Sequence, residues 1–289
     1  MRRLGALLPV LAALSLCGCP IPWSHGPAED HSRFVGAALL DDRTVLFSFK
    51  RLVYRPARGI AAFPDGGVPH YDVDEDLLGA FDLPTGELRV LRREPNRRWS
   101  SGQGGFSVGQ ARGSAALVTR GGQLRNDLAR LAYEDWIVDV AAGTLRPLRW
   151  REALAERGLA MKQLHLLDAR GTLLFATAPA SAATGSRADE VWLWVRTAED
   201  RYVKVARTSH QEGMVGDELV YWIPETRRFR GFNVVTLADR DLPGFRVPSR
   251  ERVDEGVAVE TGGRRLLLGR RSGDAWAYEP LPIEPDDLR

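Results

Sequence analysis

Few stretches of this 289-residue chain carry reactive side chains at a spacing that chemistry can use. "GFSVG" at 105–109 fits the G-x-S-x-G pattern of a nucleophile elbow, with Ser107 as the nucleophile and Asp139 and His165 following in hydrolase order. An elbow needs a strand, a strained turn and a helix, and Gln110-Ala111-Arg112-Gly113 leads into another strand-like run instead. A Gly-rich turn is the expected outcome. "YDVDEDLLG" at 71–79 puts Asp72, Asp74 and Asp76 at alternate positions. In a loop they would wrap a hard cation such as calcium, and otherwise they form a solvated acidic loop and the chain takes no cofactor. The EF-hand pattern fails, because Leu77 and Asp82 stand where it requires Gly and Glu. "REPNRRWSSGQGG" at 93–105 gathers Arg97, Arg98 and Trp99, which suit an anionic or sugar ligand through forked hydrogen bonds and stacking. The competing reading folds Trp99 beneath the loop and leaves the arginines in water. A glycosidase would need two carboxylates about 5 to 10 Å apart. Asp72 to Asp76, Asp135, Asp217 and Glu218 are the acids available for it.

The only cysteines, Cys17 and Cys19, lie in "LSLCGCP" behind an apolar run from Leu4 to Leu16 that follows Met1-Arg2-Arg3. That run has the length of a secretory leader and is too short to span a bilayer as a helix. A disulfide across one intervening residue is strained, and a redox pair is spaced Cys-x-x-Cys. The histidines at 25, 31, 70, 165 and 210 show no ligand spacing with the cysteines, so zinc has no set of four ligands. Leu16-Cys17-Gly18-Cys19 resembles the lipobox of bacterial lipoproteins, with Cys17 where Ala or Ser is usual. The resemblance implies a signal peptide at 1–18 and Cys19 as the acylated first residue of the mature chain, a membrane anchor through lipid. Pro20 is not the Asp that retains such proteins at the inner membrane. The implied address is therefore the periplasm-facing inner leaflet of the outer membrane. Residues 19–32 carry three prolines after Cys19 and read as an extended tether.

Composition is globular, with 44% hydrophobic and 27% charged residues. Only Lys50, Lys162 and Lys204 among the 40 basic residues are lysines, a bias that a GC-rich genome produces. Loss of Arg2 and Arg3 with the leader leaves equal numbers of basic and acidic residues. A neutral surface gives nucleic acid no general electrostatic attraction, and nucleic acid is excluded as an expected partner.

From Phe34 onward, runs of β-branched, aromatic and Leu residues alternate with Gly, Pro, Asp and Asn turn signals, which is an all-β pattern over 33–289. "VGAALLDDRTVLFSF" and "LLDARGTLLFATA" read as hairpins. "LGAFDLPTGELRVL" (78–91) aligns with "WIVDVAAGTLRPL" (136–148), and looser copies are "VWLWVRTAEDRYVKVA", "FNVVTLADRDLPGF" and "AWAYEPLPI". Asp82 and Asp139 are 57 residues apart, and later steps shorten to about 42. The repeated D-x-x-x-G-x-L-x-x-L ending resembles the outermost hairpin of bacterial β-propeller blades. Five such endings imply five blades, with the strand at Phe34 completing the last; six blades or an open β-sandwich-like repeat are the alternatives. Continuous apolar runs such as Ala115–Val118 fit strands buried on both faces. "WREALAERG" (150–158) and "QLRNDLARLAY" (123–133) are the expected helical pieces.

No catalytic constellation is complete in the sequence. The expected function is an envelope-anchored binding or scaffolding module for a protein or glycan partner, and not an enzyme. The alternative is a glycosidase-like or other hydrolytic enzyme using channel-facing carboxylates.

Overall fold

The computed structural model describes residues 24–58, 70–96, 105–179, 192–197, 200–207, 210–223, 225–246 and 255–289. Short strands β1 (Ser24–His25) and β2 (Glu29–Asp30) lead into sheet I, built from β3 (Arg33–Leu40), β4 (Thr44–Arg55), β6 (His70–Asp82) and β7 (Leu88–Pro95), while β5 (Ala57–Arg58) returns to pair with β1. Sheet II follows with β8 (Phe106–Arg112), β9 (Ala115–Leu124), β10 (Asp127–Asp139) and β11 (Thr144–Leu148). Helix α1 (Trp150–Ala155) precedes sheet III, of β12 (Leu159–Leu166), β13 (Leu173–Pro179), β14 (Trp192–Arg196) and β15 (Tyr202–Arg207). Sheet IV holds β16 (His210–Val215), β17 (Glu218–Ile223), β18 (Arg228–Asn233) and β19 (Asp239–Asp241). Sheet V holds β20 (Glu255–Val259), β21 (Leu266–Ser272) and β22 (Ala275–Pro280). Among the described residues these are five antiparallel meanders laid down in chain order, an all-β, propeller-like arrangement.

The turn residues explain why the chain reverses where it does. Asp41 and Asp42 both sit at φ 50°, the left-handed backbone that a tight hairpin requires and that Asp tolerates. The repeated Asp-to-Gly ending is a side-chain-capped turn between third and fourth strands. Asp82 Oδ1 accepts from the Thr85 N–H at 3.0 Å, and Gly86 supplies φ 70°. Asp139 Oδ1 accepts from the Ala142 N–H at 3.1 Å, and Gly143 supplies φ 63°. In sheet IV, Asn233 Oδ1 accepts from Val235 and Thr236, and Leu237 takes the left-handed position. Each cap satisfies turn amides that no strand partner reaches.

Packing between sheets accounts for the continuous apolar runs. Val45, Leu46 and Phe47 are consecutive in β4 and all fully buried, because one face of sheet I meets sheet V and the other meets sheet II. Phe34, Phe47, Phe49 and Leu77 pack with Leu266, Leu268, Leu281 and Ile283 on one side. Leu40, Leu46 and Leu78 pack with Phe106, Ala116 and Val118 on the other. Sheets II and III meet around Trp150 and Phe175, and sheets III and IV around Leu193, Val195 and Tyr221. Each such side chain removed from water contributes about 1.5–3 kcal/mol.

Sheets I to IV point the same way. A Cβ on Gly113 would lie 3.4 Å from Asp41 Oδ1 and 2.9 Å from the Ala169 Cβ, so the first turns of sheets I, II and III meet. Arg170 bridges the first turns of sheets III and IV through Asp217 at 2.8 Å. Sheet V departs from this. Its first turn lies against the start of β3, where the Phe34 N–H donates to the Gly263 carbonyl at 2.7 Å and Arg264 reaches the Asp30 carbonyl. The Arg93 guanidinium then donates to the Leu288 carbonyl at 2.9 Å, tying the final 3-10 turn (Pro285–Leu288) to β7.

Three expectations change. The strand at Phe34 opens sheet I instead of completing sheet V, because the Asp41-Asp42 turn folds it onto β4 in register Arg33 to Lys50. Residues 123–133 form the end of β9, a two-residue turn and the start of β10, where pairing with the neighbouring strand overrides helix propensity. Residues 71–79 lie within β6 and do not form a loop. Helix α1 forms where expected, with Trp150 and Leu154 buried against sheet III.

Candidate functional site

In an antiparallel meander the first-to-second and third-to-fourth turns fall at one end, and all other connections fall at the opposite end. In sheets I, II and IV that opposite end carries three clusters of polar and aromatic side chains.

The first cluster explains the three aspartates. Alternation along β6 turns Asp74 and Asp76 to the same face, which like charge alone would make unfavourable, while a bulge between Tyr71 and Val73 sets Asp72 apart, beside Arg55 and His70. Cations from neighbouring strands neutralise them. Lys50 of β4 places Nζ 2.6 Å from Asp74 and 3.0 Å from Asp76. Arg120 of β9 donates to Asp76 Oδ2 from Nε at 3.2 Å and Nη2 at 2.7 Å, crossing from sheet II to sheet I. Asn96 Nδ2 lies 3.1 Å from both oxygens of Asp74, and Arg55 Nε lies 3.1 Å from Asp72. Lys50, Asp76 and Arg120 are 4%, 1% and 4% exposed, so this is a buried ion network. Burial of this kind is tolerated only when charges are paired: Arg120 and Asn96 hydrogen-bond the carboxylates, whereas Lys50 Nζ meets Asp74 and Asp76 as an ion pair without hydrogen-bond geometry. Among the described residues, no group of three or more His, Cys, Asp or Glu stands in a metal-holding arrangement. Arg97, Arg98 and Trp99 lie outside the described residues, as do Cys17 and Cys19.

The second cluster surrounds Asp135 in sheet II. Its carboxylate accepts from Thr119 Oγ1 at 2.7 Å and from Arg151 Nε at 2.7 Å. The Arg151 guanidinium sits 4.7 Å from the Tyr133 ring centre and 4.2 Å from that of Trp150. Tyr133 can lie flat because residue 121 is glycine; a Cβ there would come within 2.3 Å of the ring.

The third cluster is an open cavity of about 580 Å³ at the corresponding end of sheet IV. Trp222 of β17 and Phe229 of β18 are register partners whose rings meet edge to face at 4.8 Å, and Phe245 packs on Phe229 at 5.2 Å. Arg227, Arg228 and Asp241 add polar groups to this aromatic wall. No motif in the sequence marks it. Its signal is the run Tyr221-Trp222-Ile223 facing Arg228-Phe229-Arg230 across a short turn.

The remaining sequence candidates separate. Ser107 is an exposed residue at the start of β8, Asp139 caps a turn at the other end of sheet II, and no elbow exists. His165 is held by Gln110: the Leu166 N–H donates to Gln110 Oε1 at 2.8 Å, which turns Gln110 Nε2 toward His165 Nδ1 at 2.9 Å. Nδ1 is then the acceptor and the ring is neutral. Burial, reinforced by Arg112, lowers the His165 pKa below 6.5. Asp217 pairs with Arg170, and Glu218 takes a two-point contact from Arg240 at 2.6 and 2.7 Å. Both stand at the turn end, away from the clusters above.

No protein-family model and no curated protein sequence matches the chain. Among solved structures it is similar to an oligogalacturonate lyase from Vibrio parahaemolyticus, at 11% identity and a TM-score of 0.37, covering 86% of this chain and 66% of that one. It is also similar to an oligogalacturonate lyase in complex with manganese, at 13% identity and a TM-score of 0.31, covering 86% and 64% of the two chains. The chain thus spans about two thirds of the length of each. Among the described residues, no helix is long and apolar enough to cross a membrane.

Proposed function

We propose that this chain is a lipid-anchored protein of the bacterial envelope whose propeller-like body binds a glycan in the aromatic cavity of sheet IV. The carrying observation is that cavity: about 580 Å³, walled by Trp222, Phe229 and Phe245 and edged by Arg227, Arg228 and Asp241. Small-molecule sites commonly fall between about 300 and 1,000 Å³, with an apolar wall and a few polar groups that fix orientation. Sugar rings offer an apolar face to stack on aromatics and hydroxyls to bond with guanidinium and carboxylate groups. The lipobox at Leu16-Cys17-Gly18-Cys19 supports the anchor, and Pro20 supports the outer-membrane leaflet facing the periplasm. Titration of purified protein with envelope-derived oligosaccharides tests the site. Saturable binding that Trp222→Ala weakens at least tenfold is the expected result, and binding indifferent to Trp222 and Phe229 refutes it.

A further inference from the structure

Residues with a Cβ seldom adopt left-handed backbone, and a chain keeps one there only when its surroundings hold it. Apart from glycines, the described residues at positive φ are Asp41, Asp42, Asp200, Arg227 and Leu237. Four of these have a reason within the fold. Aspartate tolerates the region: Asp41 and Asp42 form the tight turn from β3 to β4, and Asp200 accepts from Arg196 Nε at 2.7 Å. Leu237 packs against the core between sheets III and IV. Arg227, at φ 52° in the turn from β17 to β18, has no such reason. Its side chain is exposed and, among the described residues, meets no hydrogen-bond or ion-pair partner. Glycine would serve the turn at less conformational cost.

What Arg227 does is line the sheet IV cavity. The acid that lines it, Asp241, already has two cations: Arg228 at 3.9 Å and Arg230 at 3.6 Å. Glu225, two residues before Arg227, is exposed and does not line the cavity. Arg227 therefore stands beside the wall of Trp222, Phe229 and Phe245 as a positive charge with no counter-ion among the described residues. A guanidinium presents its donors as a planar fork that matches the paired oxygens of a carboxylate or a phosphate.

We infer that the glycan taken by this cavity is anionic, and that Arg227 pairs with its carboxylate or phosphate substituent while a sugar ring stacks on the aromatic wall. The inference rests on the glycan reading above and narrows its ligand class. The probes are two pairs of sugars titrated by calorimetry against the full chain. One pair is the disaccharide of N-acetylglucosamine and N-acetylmuramic acid against chitobiose, which lacks the lactyl carboxylate. The other is a glucosamine disaccharide bisphosphate against its dephosphorylated form. In at least one pair the anionic sugar is expected to bind at least tenfold tighter than its neutral counterpart, and the pair that shows the preference tells carboxylate from phosphate. Arg227→Gly is expected to cut the preference to threefold or less while the thermal midpoint stays at or above the wild-type value, because glycine suits φ 52°. Equal binding within both pairs, or a preference that survives Arg227→Gly, overturns the inference and leaves the glycan reading standing. A midpoint lowered by Arg227→Gly shows that the residue serves the turn, and overturns it as well. Failure of all four sugars to bind overturns the inference and the glycan reading together.

Discussion

Lys50 shows how one side chain decides whether an acidic strand is viable. Its ammonium lies between Asp74 and Asp76 with almost no solvent access, so replacing it leaves two buried carboxylates short of a cation. Lys50→Met is expected to cost about 3–5 kcal/mol, seen as a fall in thermal midpoint. Adding Asp74→Asn to that variant is expected to recover part of the loss, and no recovery would show that the network is not the cause. His165 gives a pH signature. Its folded pKa is depressed by burial, and protonating Nδ1 would break the bond from Gln110. A lowered pKa means that the unfolded chain binds the proton more readily. The stabilisation is therefore complete above the unfolded value of about 6.5 and is lost as pH falls below it toward the folded value. His165→Gln is expected to flatten the stability profile over that acidic interval, measured by denaturant unfolding between pH 7 and 5.

At the scale of elements, close approach within sheets depends on glycine at particular register positions. Phe47 of β4 lies opposite Gly79 of β6, and a Cβ there would stand 2.4 Å from its ring. The ring is also held by Phe34 at 5.6 Å, so it has little room to move. Gly79→Ala is expected to destabilise by about 1–3 kcal/mol, read from the urea midpoint at unchanged slope. Gly86→Ala tests the turn, not the packing: its φ is 70° with open space around it, and a loss of about 1 kcal/mol is expected. Equal effects at the two sites would contradict the distinction between crowding and backbone strain.

The whole molecule is tied together by its last residues. Leu281, Ile283 and Leu288 bury themselves between sheets V and I, and the Leu288 carbonyl accepts from Arg93. Deleting 281–289 exposes the Phe34–Phe47–Phe49 core, and three lost side chains at about 1.5–3 kcal/mol each are expected to lower the thermal midpoint steeply. A midpoint unchanged within a degree would show that sheets V and I do not depend on this seam. For the anchor, labelling cells with a palmitate analogue is expected to mark the wild-type chain and not Cys19→Ala. Incorporation that persists in the variant removes the lipid reading at Cys19.

The sequence by itself determined the class of structure, because that class rests on local chemistry. Alternating apolar runs specify strands, and Asp82, Asp139 and Asn233 with their following left-handed residues specify turns whose hydrogen bonds close within a few residues. The helix at Trp150 was legible for the same reason. What only the tertiary structure decided depends on partners far along the chain. The three aspartates of β6 were readable as an acidic run, but the neutralisation of Asp74 and Asp76 needs Lys50 and Arg120, and Arg120 comes from another sheet. The aromatic cavity needs Trp222, Phe229 and Phe245 to converge from two strands and the segment after a third. The approach of sheet V to the start of β3 rests on contacts more than 200 residues apart in sequence, beyond the range over which residue periodicity carries information.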